Sequence, residues 1–182
     1  MNVEQADLLA LAQLENTCDP EELLSLTGSY ARMEALFRIL PRVERGRWFQ
    51  LLGHEWSGCD NIGRYTDVLK SVLYFADPAH IELMMTEEER AFRDSLPPIF
   101  TAWRGCYEHN WEGLSYSLHR DIAARFPYLA RYRAKGRPLL LTAKVWREQA
   151  IVKLGREEFE VIAIDPELVG EKRLPEVRDT CE

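Results

Sequence analysis

An α+β fold is predicted by three features of the chain: apolar residues at helical spacing through the first half, a break at Pro97 and Pro98, and β-compatible apolar runs beyond that break. The division this predicts is a helical N-terminal subdomain over residues 1–96, a small mixed or antiparallel β core over 97–170, and a charged C-terminal tail over 171–182. A length of 182 residues suits one compact domain with an appended subdomain.

In the first half, Leu8, Leu9, Leu11, Ala12 and Leu14 form one apolar stripe at helical spacing. "DPEE" then supplies a helix start, with Asp19 as cap, Pro20 in the first turn and acids facing the macrodipole. The helical pattern from there to Leu40 is interrupted near Gly28, and Pro41 ends it. "ERGRWFQLLGHEW", "YTDVLKSVLYF" and "TEEERAFRDSL" predict further helices, the last with Thr86 and Glu89 in capping-box register. After Pro97 and Pro98, Phe100, Ala102 and Trp103 begin an extended run. "SLHRDIAARF" reads as a short helix, while "PLLLTAKVW" and "EVIAI" read as strands.

A formal charge of −7 argues against nonspecific binding to nucleic acid or anionic membrane, both polyanions. Cys18, Cys59, Cys106 and Cys181 lie far apart and make no metal-ligand spacing with the four histidines, so no metal is expected. The N-terminus lacks the basic flank of a signal peptide, and no apolar run approaches membrane-span length. The expectation is a soluble cytoplasmic protein with free thiols.

Three motifs in the second half carry candidate chemistry. "TAWRGC" holds Arg104 and Gly105 near a strand end; "GLSYSLHRDIAARF" holds Ser115 and Ser117 ahead of a helix; "GREEFEVIAI" holds Glu158 and Glu160 in E-x-E spacing before an apolar strand. On a regular strand Glu158 and Glu160 would share one face and Phe159 would point to the other. The order of these motifs resembles that of mono-ADP-ribosyltransferases of the arginine–serine–glutamate class, in a compact form of bacterial or phage type. The aromatic before Arg-Gly, the glycine before the serines and the Ala123…Phe126 helix after them share that likeness over about residues 97 to 168. One departure is that Arg104 and Ser115 stand only eleven positions apart, where familiar members carry a longer insertion.

The resemblance implies an ADP-ribosyltransferase-type β-sandwich packed with the helical half, NAD as substrate, and a protein acceptor, with arginine suggested by the glutamate at 158. Arg104 would anchor the pyrophosphate or the ribose side, as a planar guanidinium suits phosphate oxygens. Gly105 would admit the nicotinamide amide to the backbone. Glu160 would stabilise the oxocarbenium-like ribosyl cation. Ser115 would hydrogen-bond Glu160, Ser117 would set the strand–helix junction, and Glu158 would orient or deprotonate the acceptor. The alternatives are an NAD glycohydrolase and a non-catalytic protein-binding module that keeps the fold.

Plainer roles stand beside these. Arg104 can pair with an acid, Ser117 can cap a helix, and Tyr107, His109 and Trp111 are more ordinary as packing than as cofactor contacts. Cys106 has no activating base near it in sequence. "GHEWSGCDNIGRY" reads as a structural turn between helices before it reads as a cleft wall.

Overall fold

The computed structural model describes residues 2–14, 19–60, 62–129, 132–155 and 159–175. The chain divides into two units, Met1–Thr86 and Glu87–Glu182. The division falls ahead of the expected boundary at residue 96, because the helix Glu87–Ser95 packs on the strands that follow it.

The first unit is helical. It contains α1 (Val3–Leu14), α2 (Pro20–Leu26), α3 (Arg32–Ile39), α4 (Arg45–Glu55), α5 (Thr66–Tyr74) and α6 (Pro78–Leu83). In α1 the apolar stripe is only partly used: Leu11 is fully buried while Leu9 is exposed. Asp19 caps α2 by accepting from the Glu21 and Glu22 amides at 2.9 and 3.1 Å. Glu44 does the same for α4 through Gly46 and Arg47. A turn at Leu40–Arg42 follows α3 and contains Pro41. Leu36, Trp48, Phe49, Leu52, Trp56, Leu69 and Leu73 form the interior of this unit, and Trp48 Nε1 donates to Leu36 O at 2.6 Å. The sequence reading passed over α6, although Asp77–Pro78 repeats the Asp19–Pro20 start signal and Asp77 caps the Ala79 amide.

The second unit begins with α7 (Glu87–Ser95) and continues through β1 (Ile99–Tyr107), β2 (Ser115–Ser117), α8 (Arg120–Arg125), β3 (Pro138–Trp146), β4 (Ala150–Lys153), β5 (Glu160–Ala163) and β6 (Glu167–Arg173). These strands form one antiparallel sheet in the order β4-β5-β2-β1-β3-β6. The α+β class is therefore observed, with a single hydrogen-bonded sheet in place of the expected sandwich. The expected tail also begins too early, since β6 carries the chain to Arg173 as an edge strand beside β3.

Direct cross-strand partners share a face. Phe100, Ala102, Tyr116, Ala143, Val145, Val152 and Val161 build an apolar cluster on one face, with Phe92 and Leu96 packed against it. On the other face, Trp103 stands opposite Ser117, and Ser117 opposite Glu160. There α8 lies close over β1: a Cβ on Gly105 would sit 1.9 Å from Ala123 O. Gly105 is thus required by helix–sheet packing.

Candidate active site at the seam between β1 and β2

The sheet narrows between β1 and β2 to one registered pair, Trp103 with Ser117. On its other side β1 pairs with β3 along its whole length, from Ile99–Trp146 to Tyr107–Pro138. The Arg147 amide donates to Pro98 O and the Glu108 amide to Arg137 O, so even-numbered residues of β1 use their backbone groups toward β3. By the same alternation the N–H and C=O of Gly105 point toward β2, one step beyond the last registered pair.

Arg104 explains why pairing stops there. Its Nη1 donates to Ser115 O at 2.8 Å and its Nη2 to Asn110 O at 2.9 Å. The guanidinium therefore takes the carbonyl that a continued ladder would have offered to Gly105. It lies against Gly113, whose missing Cβ would fall 2.0 Å from Nη2, which accounts for the glycine before the serines. Asn110 Oδ1 also accepts from the Tyr107 amide at 2.8 Å, so the short Arg104–Ser115 connection is held by Asn110 at two points. Among the described residues, the buried Arg104 Nε has no hydrogen-bond partner.

Ser117 and Glu160 come together. The Ala163 amide donates to Leu114 O and the Leu118 amide to Phe159 O, so the intervening Ser117–Glu160 pair is a non-hydrogen-bonded one, the closer of the two antiparallel spacings. Ser115 instead stands opposite Ile162, so the expectation that Ser115 is the partner of Glu160 is corrected to Ser117. Ser117 is buried, and its Oγ accepts from the His119 amide at 3.1 Å, at the start of α8. It therefore serves both the strand pair and the strand–helix junction.

Two expectations do not carry over. Arg104 leaves β1 on the face opposite to Trp103, Ser117 and Glu160, and its Nη atoms are engaged by carbonyl oxygens. The guanidinium reaches the seam from the far side of the sheet instead of facing Glu160 across a groove. The strict alternation expected for Glu158, Phe159 and Glu160 is also broken. β5 starts only at Glu160, and Phe159 has φ of 43°, a left-handed conformation rare for a bulky residue. Its ring lies edge-on to His119 at 4.7 Å and tilted on Phe92 at 6.2 Å. Glu158 lies outside the described residues.

Other candidates resolve into packing. Tyr107 is buried, donates its hydroxyl to Pro127 O at 2.6 Å and stacks on His109. Cys106 is buried, and that burial pushes its thiol up despite the nearby Arg104 charge. In the first unit, burial pushes the Cys59 thiol up to about 12. Arg32 reaches Glu55 and Gly58 O there, and Ser29 donates to Asp60, so the polar run around Cys59 is tied into its own turn. Among the described residues, no group of His, Cys, Asp and Glu could hold a metal ion, and no helix is long and apolar enough to cross a membrane.

Sequence reading missed Asn110, which carries no motif, and Lys153, which stands opposite Glu160 and binds α7. The only signal for Lys153 was a lysine closing the apolar run "AIV", a place where a charge is costly unless paired. Comparison of the chain with protein-family models, with curated proteins and with solved structures gives no match in any of the three.

Proposed function

We propose that this chain is an NAD-dependent mono-ADP-ribosyltransferase acting on a protein acceptor, with arginine as the acceptor side chain. The observation that carries the reading is the placement of Ser117 and Glu160 in close register beside the seam where β1 and β2 stop pairing. The Gly105 N–H and C=O point into that same seam, where they suit an amide that offers both an acceptor and a donor.

The chemistry needs a carboxylate near the ribose. When the nicotinamide–ribose bond breaks, its electron pair leaves with the pyridine nitrogen and a positive charge develops on the sugar. The Glu160 carboxylate would stabilise that charge, with Ser117 fixing its direction. A guanidine nitrogen of the acceptor then forms the new bond and gives up a proton. Arg104 supports this reading as the group that keeps the strands from closing, through its bond to Ser115 O.

One observation favours a second reading. The two bonds from Arg104 to carbonyl oxygens are sufficient reason for an arginine there, which is what a non-catalytic binding module would retain. Labelled NAD added to a cell lysate with wild type or Glu160→Gln separates the possibilities. The transferase labels protein and the variant does not. Label recovered only as free ADP-ribose marks a glycohydrolase, and unconsumed NAD marks the binding module.

A further inference from the structure

Lys153 and Glu89 form an ion pair that is almost fully removed from solvent. Lys153 Nζ donates to Glu89 Oε2 at 2.8 Å, and the side chains are 8% and 7% exposed. The other oxygen, Glu89 Oε1, accepts from the Leu154 amide at 3.1 Å. Taking two charges out of water costs several kcal/mol per ion, so such a pair is a weak way to gain stability and invites another explanation.

The sheet supplies one. Lys153 is the direct cross-strand partner of Glu160, so both side chains leave the sheet on the same face. β4 is an edge strand, and the lysine stem reaches α7 past that edge. The row Trp103, Ser117, Glu160, Lys153 thus runs from the seam to the edge, with the proposed catalytic residue in register between a serine and a lysine whose ammonium is held by Glu89.

We propose that Lys153, anchored by Glu89, is a positioning residue that keeps the Glu160 carboxylate ionised and directed along the row toward the seam. This rests on the transferase reading for its purpose, but not for its physics. A cation near a carboxylate favours the carboxylate's charged form. Without it that support is lost, and a protonated Glu160 could not stabilise a cation. Among the described residues, the charged and titratable groups on the elements beside Glu160 include its cross-strand partner Lys153 on β4, Glu89 on α7, which binds Lys153, and His119 at the start of α8, which meets Phe159; from β2 the cross-strand partner is the neutral Ser117.

The test compares Glu89→Gln with Glu89→Gln/Lys153→Met, two proteins that differ only at residue 153 and of which the second buries no unpaired charge. The Glu160 carboxyl is titrated by carbon-detected NMR, and nicotinamide release from NAD is followed against pH. The expected result is a Glu160 midpoint higher by about one pH unit in the double variant. The acid limb of the rate profile moves with it, about tenfold less active below the midpoint. Lys153→Arg, which keeps the charge, retains the wild-type midpoint. Equal midpoints in the two Glu89→Gln proteins overturn the proposal. If no form releases nicotinamide, the transferase reading fails separately, and the carboxyl titration still decides the role of Lys153.

Discussion

Gly105→Ala tests how tightly α8 closes on the sheet. The added methyl carbon would meet Ala123 O at 1.9 Å and Pro127 Cδ at 2.8 Å. Both belong to backbone or a proline ring, so no flexible side chain can yield. Bringing the Ala123 oxygen out to 3.0 Å, below which Cβ atoms are essentially not found, requires α8 to retreat by about 1.1 Å. Overpacking of this kind costs about 1–3 kcal/mol, and the stiffer unfolded chain of an alanine offsets about 0.4–1 kcal/mol of that. A net loss of about 1.3 kcal/mol is expected, which lowers the protection of β1 and α8 amides in hydrogen exchange by roughly tenfold. Gly63→Ala is the control, because nothing lies within 4 Å of its Cβ position, and it should change stability by no more than about 0.5 kcal/mol. Unaltered protection in Gly105→Ala would refute the argument that packing demands this glycine.

Arg104→Lys removes the fork that spans Ser115 O and Asn110 O, since one ammonium cannot reproduce two fixed donors. It should cost about 1–2 kcal/mol in urea unfolding and weaken NAD binding in calorimetry; a variant matching wild type in both contradicts the role given to Arg104. Glu34 bears on pH dependence. Burial opposes its ionisation, but hydrogen bonds from Arg38 and Tyr65 outweigh that and hold its carboxyl below the usual range. A depressed carboxyl contributes stability above its unfolded pKa and loses it as pH falls through the folded one. Glu34→Gln should therefore be less stable than wild type by about 1 kcal/mol or less at pH 7, with the difference closing in acid. A difference that grows in acid denies the effect.

Local signals made the helices legible. Asp19–Pro20 announced α2, and Pro97–Pro98 marked the passage from α7 to β1. Of the missed elements, α6 carried the same Asp–Pro start as α2, whereas β6 offered little locally. Every residue of β6 is exposed, so it shows no alternation of buried and open positions. The three motifs did fall on β1, β2 and the start of β5, as their order suggested. What could not be read was register. Whether Ser115 or Ser117 stands opposite Glu160 depends on pairing between strands some forty residues apart, and a one-residue slip would exchange the faces. The left-handed Phe159 broke an alternation that the sequence had every reason to suggest, since nothing marks a phenylalanine for that conformation.

The central claim is that NAD enters the seam beside Gly105 and Glu160. Titration of the isotope-labelled protein with NAD, followed through backbone amide resonances, addresses it without requiring turnover. The account predicts that the amides of Gly105, Ser117 and Glu160 shift together and saturate, and that Arg104→Lys weakens the response. Resonances that stay in place at the seam while NAD is present at millimolar concentration, or that move only elsewhere in the chain, would contradict it.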